Sequence, residues 1–202
     1  THLAAESNTL YIGKNNAFLD ATAPLGLGVP SMPRTGFGVV ARDFNRDGRE
    51  DLLVGNGRVT RGPEVVLPSL GDPWNGMAEP NDLYLRSGSG FELAPKDPVL
   101  SEVGLTRAVV AGDFDRQGQL EVLIVNVETP SILVTPPKSD ARELFVEAVD
   151  QAGHPVLHAL IFCQTGERIQ RRRQGISDGY ASAQPPEVHF GLAASQAPAE
   201  LT

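Results

Sequence analysis

The nine residues Asp43-Phe44-Asn45-Arg46-Asp47-Gly48-Arg49-Glu50-Asp51 constrain the fold of this chain more than any other stretch. Oxygen-bearing side chains stand at positions 1, 3, 5 and 9, with glycine at 6. A hard cation such as calcium takes six to eight oxygens at about 2.3–2.6 Å, and this spacing can supply them. Carboxylates packed so closely repel one another unless positive charge lies between them. The flanks exclude a helix-loop-helix site, because position 12 is Val54 rather than a carboxylate. Gly38-Val39-Val40-Ala41 before the loop and Leu52-Leu53-Val54-Gly55-Asn56 after it read as short apolar strands. The expectation is a metal-binding β-hairpin.

The chain repeats itself. Asn8-Thr9-Leu10-Tyr11 recurs as Asn81-Asp82-Leu83-Tyr84, and Ala17-Phe18-Leu19 aligns with Gly90-Phe91-Glu92. Val39-Val40-Ala41-Arg42-Asp43-Phe44 recurs as Val109-Val110-Ala111-Gly112-Asp113-Phe114. The second acidic loop, Asp113-Phe114-Asp115-Arg116-Gln117-Gly118-Gln119-Leu120-Glu121, is a weaker copy in which Gln117 replaces a carboxylate. Its bland alternative is a tight hairpin turn, for which these residues are ordinary. Each unit holds about four strand-sized segments, which suggests propeller blades. Two or three blades do not close a ring, so the chain is expected to be part of a propeller or to need other chains.

Gly 21 and Pro 16 among 202 residues suit many strands and turns. A net charge of −8 argues against nucleic acid and anionic membrane surfaces as partners. No apolar run approaches the length of a membrane-spanning helix. The single cysteine, Cys163, sits in Leu160-Ile161-Phe162-Cys163 and reads as a buried small hydrophobe. Gly57–Pro80 is a long excursion in which Pro63, Pro68, Pro73 and Pro80 forbid a continuous central strand or helix. Trp74 is expected to pin it to the body.

Phe37-Gly38 followed by Asp43–Leu52 resembles the FG-GAP or VCBS repeat of integrin-like propellers. Glu143-Leu144-Phe145-Val146-Glu147, Gln170-Arg171-Arg172-Arg173, Gly179-Tyr180-Ala181-Ser182 and Val188-His189-Phe190-Gly191-Leu192 resemble the ASPIC/UnbV domain. The two resemblances together imply an all-β chain: calcium-binding propeller blades over 1–137, then a small β-rich ASPIC/UnbV-like domain over 138–202. They also imply that the second domain stops short of its usual end. The implied calcium ligands are Asp43, Asn45, Asp47, the Arg49 carbonyl and Asp51, with Asp113, Asp115, Gln117, Gln119 and Glu121 in the second loop.

No catalytic constellation emerges. His154 and His158 are four apart, but Gly153 and Pro155 disfavour the helix that would make that a zinc spacing. His189 reads as a packed histidine. Ser177 and Ser182 lack a nucleophile-elbow context. Arg168, Arg171, Arg172 and Arg173 form the basic cluster, read first as a solvated, protected strand edge and second as a surface for an acidic partner. The expected role is a non-catalytic, extracytoplasmic calcium-binding module for a protein or carbohydrate partner. The alternatives are an accessory subunit of a larger surface or membrane-associated complex, and an enzyme whose active site lies on other blades.

Overall fold

The computed structural model describes residues 1–62, 70–96, 100–136, 140–175, 179–193 and 200–202. Pro63, Pro68, Pro137 and Ser177 of the sequence reading lie outside the described residues.

Strands β1 (Tyr11–Lys14) and β2 (Ala17–Asp20) form a hairpin whose turn residues Asn15 and Asn16 both have positive φ. Asparagine tolerates that region, and a two-residue hairpin turn demands it. A single helical turn, α1 (Gly28–Ser31), leads to β3 (Gly36–Arg42), the first acidic loop and β4 (Asp51–Asn56). The excursion that follows contains a 3₁₀ turn, Trp74–Met77, and the two-residue strand β5 (Glu79–Pro80). Then come β6 (Asp82–Ser87), β7 (Gly90–Leu93), β8 (Val103–Gly104), β9 (Thr106–Gly112), the second acidic loop, β10 (Glu121–Asn126) and β11 (Ile132–Val134). The C-terminal unit holds β12 (Arg142–Val146), β13 (Leu160–Thr165), β14 (Arg168–Arg173), β15 (Val188–Leu192) and β16 (Glu200–Leu201).

The chain is all-β, as the sequence implied. The order β3-β4-β6-β7 makes one four-stranded antiparallel sheet, and β9-β10-β11 a three-stranded one. The repeat and the sheets are out of phase by two strands. Read from Asn8, a repeat unit runs β1-β2-β3-β4, yet β3-β4 joins β6-β7 from the next unit. The hairpin β1-β2 is left with no further strand among the described residues. The duplication nevertheless holds at the level of single hydrogen bonds. Ala21 N donates to Leu10 O and Ala94 N to Leu83 O, each at 2.8 Å and each 73 residues from its counterpart (10 to 83, 21 to 94).

The four-stranded sheet is apolar on both faces, so its strands read as near-continuous runs. One face contributes Val40, Leu53 and Leu83 to a core shared with Val109, Val122 and Ile124 of the next sheet. Leu53 is fully buried, which contributes about 2 kcal/mol relative to exposure. A Cβ at Gly38 would meet Val109 N at 2.7 Å, so a side chain there would push β3 and β9 apart. The other face carries Val54, Tyr84 and Phe91 against Leu27, with Leu10, Leu25, Val39 and Leu52 around them.

Trp74 packs with Met77 beside Leu70, Ala78 and Leu105, pinning the excursion as expected. Cys163 lies fully buried in the C-terminal core with Ile161, Val188, Phe190 and Leu192. That core sits between the β12-β15 pair and the sheet ordered β14-β13-β16.

Candidate metal loops and their seat

Both acidic loops connect adjacent antiparallel strands, with Arg42 facing Asp51 and Gly112 facing Glu121 across the hairpin mouths. Their backbones follow one pattern. Positions 4 and 6 have positive φ in each, at Arg46 and Gly48 and at Arg116 and Gly118. Position 6 needs glycine for that reason.

The side chains then organise the loop from within. Asp43 accepts from Asp47 N at 2.9 Å and Gly48 N at 2.6 Å. Asp113 accepts from Gln117 N and Gly118 N, both at 2.9 Å. The position-9 carboxylates reach back: Asp51 Oδ2 accepts from Phe44 N and Asn45 N, and Glu121 Oε2 from Phe114 N and Asp115 N. The extra methylene of Glu121 leaves this cradle intact.

The loops differ in which positions carry acids. Asp113, Asp115 and Glu121 place one oxygen each within 4.8 Å of one another. Ligands around a single calcium at about 2.4 Å lie no farther apart than roughly twice that. This is the one such acidic group among the described residues, and it lies in the loop that the sequence marked as the weaker copy. The cause is position 3, where Asp115 stands in one loop and neutral Asn45 in the other. Asp47 meanwhile turns its Oδ2 toward Asn45 Nδ2 at 3.4 Å and Arg49 Nε at 3.9 Å. Gln117 is exposed and, with Gly118, Gln119, Arg46, Arg142 and Glu143, lines a polar cavity of about 300 Å³.

The donor set of both loops fits a hard cation: it is all oxygen and chiefly carboxylate. In the first loop, burial pushes the Asp43 carboxyl up to about 7, with the neighbouring Asp51 and Asp47 charges adding to it and the Gly48 N–H opposing. Burial likewise raises Asp51 to about 6.

The C-terminal unit sits on these loops, a feature absent from the sequence reading. Glu143 is its hub. One oxygen pairs with Arg46 of the first loop; the other accepts from Leu120 N of the second at 2.8 Å and meets His189 Nε2 at 3.1 Å. Burial pushes the Glu143 carboxyl up, but His189 and Arg46 outweigh it and hold the carboxyl below its usual value. His189 is a packed residue, as expected, stacked 4.9 Å from Phe145 and kept toward its neutral form by burial. Gln184 grips the β9 edge with both ends of its amide, accepting from Ala111 N at 3.0 Å and donating to Val109 O at 2.9 Å. Tyr180 packs edge-on against Phe37, whose ring also carries Arg107 at 4.0 Å. Gly191 abuts Asp43.

The basic cluster needs a correction. β14 is an edge strand and alternates as expected, but Gln170 and Arg172 are buried rather than solvated. Arg172 faces Glu50 at 3.3 Å, and Arg168 donates to the Asp47 carbonyl. The acidic surface that the cluster meets is the first acidic loop of its own chain. Arg171 and Arg173 remain exposed. His154 and His158 are exposed, and among the described residues neither belongs to a group of three metal-ligating side chains; His154 faces Asp150 at 3.5 Å.

Residues 151–202 match the family model described as ASPIC and UnbV. The fold and this match together define an all-β chain that carries an ASPIC/UnbV domain at its C-terminal end. The chain is similar to cartilage acidic protein 1. The mouse protein is 31% identical over 197 residues, covering 88% of this chain and 26% of that protein. The human protein is 30% identical over 197 residues, with 88% and 25% covered. The chain therefore spans about a quarter of the length of these curated relatives. No helix among the described residues is long and apolar enough to cross a membrane.

Proposed function

We propose that this chain is a non-catalytic, cation-stabilised interaction module of the FG-GAP/VCBS kind, working outside the cytoplasm through protein or carbohydrate contacts. The observation that carries the reading is the duplicated loop: two hairpins with the same φ pattern and the same carboxylate-to-amide cradle. Asp43, Asn45, Asp47, the Arg49 carbonyl and Asp51 would hold the ion in the first loop, and Asp113, Asp115, Gln117, the Gln119 carbonyl and Glu121 in the second. A bound calcium would neutralise carboxylates that otherwise repel one another. The chain's own part is to fix those oxygens at the mouth of each hairpin, so that the loop holds the first two strands of a sheet together. Dissociation constants of about 10⁻⁴–10⁻³ M suit extracellular modules and would leave the sites filled only where calcium is plentiful. Similarity to a protein named for cartilage agrees with that setting.

The test is thermal unfolding with calcium and with chelator. At 10 mM calcium each site would add about 1.4–2.7 kcal/mol, raising Tm by roughly 3–10 °C per site for a chain of this size. Asp47→Ala should remove the first loop's share and Asp115→Ala the second's. Superimposable melting curves with calcium and with chelator would refute the reading.

A second reading, that the chain works inside a larger β-assembly, is favoured by the β1-β2 hairpin. Every residue of its strands is exposed, including Tyr11, Phe18 and Leu19. A lone two-stranded hairpin is marginal in water. Sizing of the native protein tests this: a stable lone monomer would count against it.

A further inference from the structure

We propose that the C-terminal unit ranks the two loops as cation sites: it caps the first with arginine and turns carboxylates toward the second, so that the second loop takes up calcium at the lower concentration. This rests on the cation reading above. It also reverses the order suggested by the loop sequences, in which the second is the weaker copy.

Formal charge at the ligand positions does not separate the loops. Each carries three acids among positions 1, 3, 5 and 9: Asp43, Asp47 and Asp51 in the first, Asp113, Asp115 and Glu121 in the second. The cradles made by the position-1 carboxylates also match, amide for amide. What differs is the surroundings, and the C-terminal unit supplies them.

Toward the first loop that unit turns positive charge. Arg168 donates to the Asp47 carbonyl, and a Cβ at Gly48 would lie 2.8 Å from the Arg168 guanidinium carbon. The guanidinium therefore covers position 6, next to a ligand residue. Arg172 adds a second charge at Glu50, 3.3 Å away. Gly191 packs on the Asp43 carboxylate, and the bond from Gly48 N to Asp43 is buried. A guanidinium stays charged throughout the working pH range, so a divalent cation entering this loop meets repulsion.

Toward the second loop the same unit turns negative charge. Glu143 Oε2 accepts from Leu120 N at 2.8 Å, and Glu187 Oε1 accepts from Asp113 N at 3.1 Å. Glu143 shares its charge with Arg46, which leaves Glu187 as the carboxylate that acts on this loop alone. Position 6 is open here: a Cβ at Gly118 would meet nothing within 4 Å, and the bond from Gly118 N to Asp113 is exposed. The polar cavity beside Gly118 and Gln119 gives water a way to the loop, and calcium commonly keeps water among its ligands.

The experiment is a calcium chloride titration of the isotope-labelled full chain, read by NMR at the Gly48 and Gly118 amides. One unit charge beside a divalent ion near the surface changes its affinity by about tenfold. The Gly118 midpoint should therefore lie at least about tenfold below the Gly48 midpoint. Arg168→Gln, at an exposed position, should lower the Gly48 midpoint several-fold and leave that of Gly118 in place. Glu187→Gln keeps an oxygen for Asp113 N but removes the charge, and should raise the Gly118 midpoint alone. Equal midpoints in the parent, or Gly48 responding first, would keep the cation reading and overturn this one. So would an Arg168→Gln variant, folded by its amide spectrum, whose Gly48 midpoint is unchanged. Silence at both glycines up to about 20 mM calcium, well above the range of extracellular sites, would sink the cation reading itself and the ranking with it.

Discussion

Gly191→Ala isolates the seating of the C-terminal unit on the first acidic loop. A Cβ at this position would lie 2.6 Å from Asp43 Cγ and 2.7 Å from Arg46 Cα, and closer still to a carboxylate oxygen. Neither neighbour can yield cheaply. Asp43 is buried and held by two backbone amides, and Arg46 is locked to Glu143. Overpacking of this kind costs about 1–3 kcal/mol. If the displaced carboxylate also loosens its hold on Gly48 N, about 1.5–3 kcal/mol more is at stake for a charge-assisted bond. A total of about 2.5–6 kcal/mol corresponds to a fall in Tm of roughly 5–24 °C for a chain of this size. The assay is calorimetric melting of both proteins in chelator, with amide exchange at Asp47 and Gly48. Gly118→Ala is the control. Gly118, the second loop's counterpart of Gly48, has φ +76, and an added methyl there meets nothing within 4 Å. Its cost should be limited to backbone strain of about 1 kcal/mol. If Gly191→Ala melts within about 2 °C of the parent and leaves Gly48 protection unchanged, the seating argument is wrong.

Gln184→Ala should cost about 2–4 kcal/mol by leaving Ala111 N and Val109 O without their partner, and exchange at the Ala111 amide should rise with the loss of stability. The His189 ring is held below its usual pKa by burial, so the unfolded chain binds its proton more readily. Its contribution is present above about pH 6.5 and declines as pH falls below that value; Glu143, also held low, adds a loss at more acid pH. The stability difference between the parent and His189→Gln, followed by urea titration from pH 7.5 to 5, should therefore shrink on acidification, and a constant difference would contradict the assignment. Burial pushes the Cys163 thiol up and leaves no surface exposed, so a thiol reagent should label it only in step with global unfolding.

The hairpins were legible because their information is local. Spacing within nine residues fixes which oxygens can converge, and a glycine at position 6 permits the turn they need. The all-β class followed from short apolar runs between turn residues, and the copies at 81–84 and 109–114 exposed the repeat. Strand partnership was less legible. The same unit could close on itself or hand two strands to its neighbour, and only the register between β4 and β6 decides between them. The seat of the C-terminal unit was not legible at all. Glu143 acts on Arg46 from 97 residues away, and nothing in the alternation of Glu143–Glu147 marks one glutamate as buried. The arginine cluster misled for a related reason: alternation correctly divided its residues between two faces, but their burial depends on a loop more than a hundred residues earlier. Which loop gathers three acids at positions 1, 3 and 9 turned on one side chain, Asn45 against Asp115.

Glu143 has a consequence for how the molecule can vary. Its two oxygens hold hairpins from successive sheets, so a single carboxylate works as a gauge of the angle between them. Lengthening either loop by one residue, or shortening Glu143 to aspartate, would move one contact out of reach while the other stayed in place. The pitch from sheet to sheet is thus under inspection at one residue, and the two loops are free to change only together.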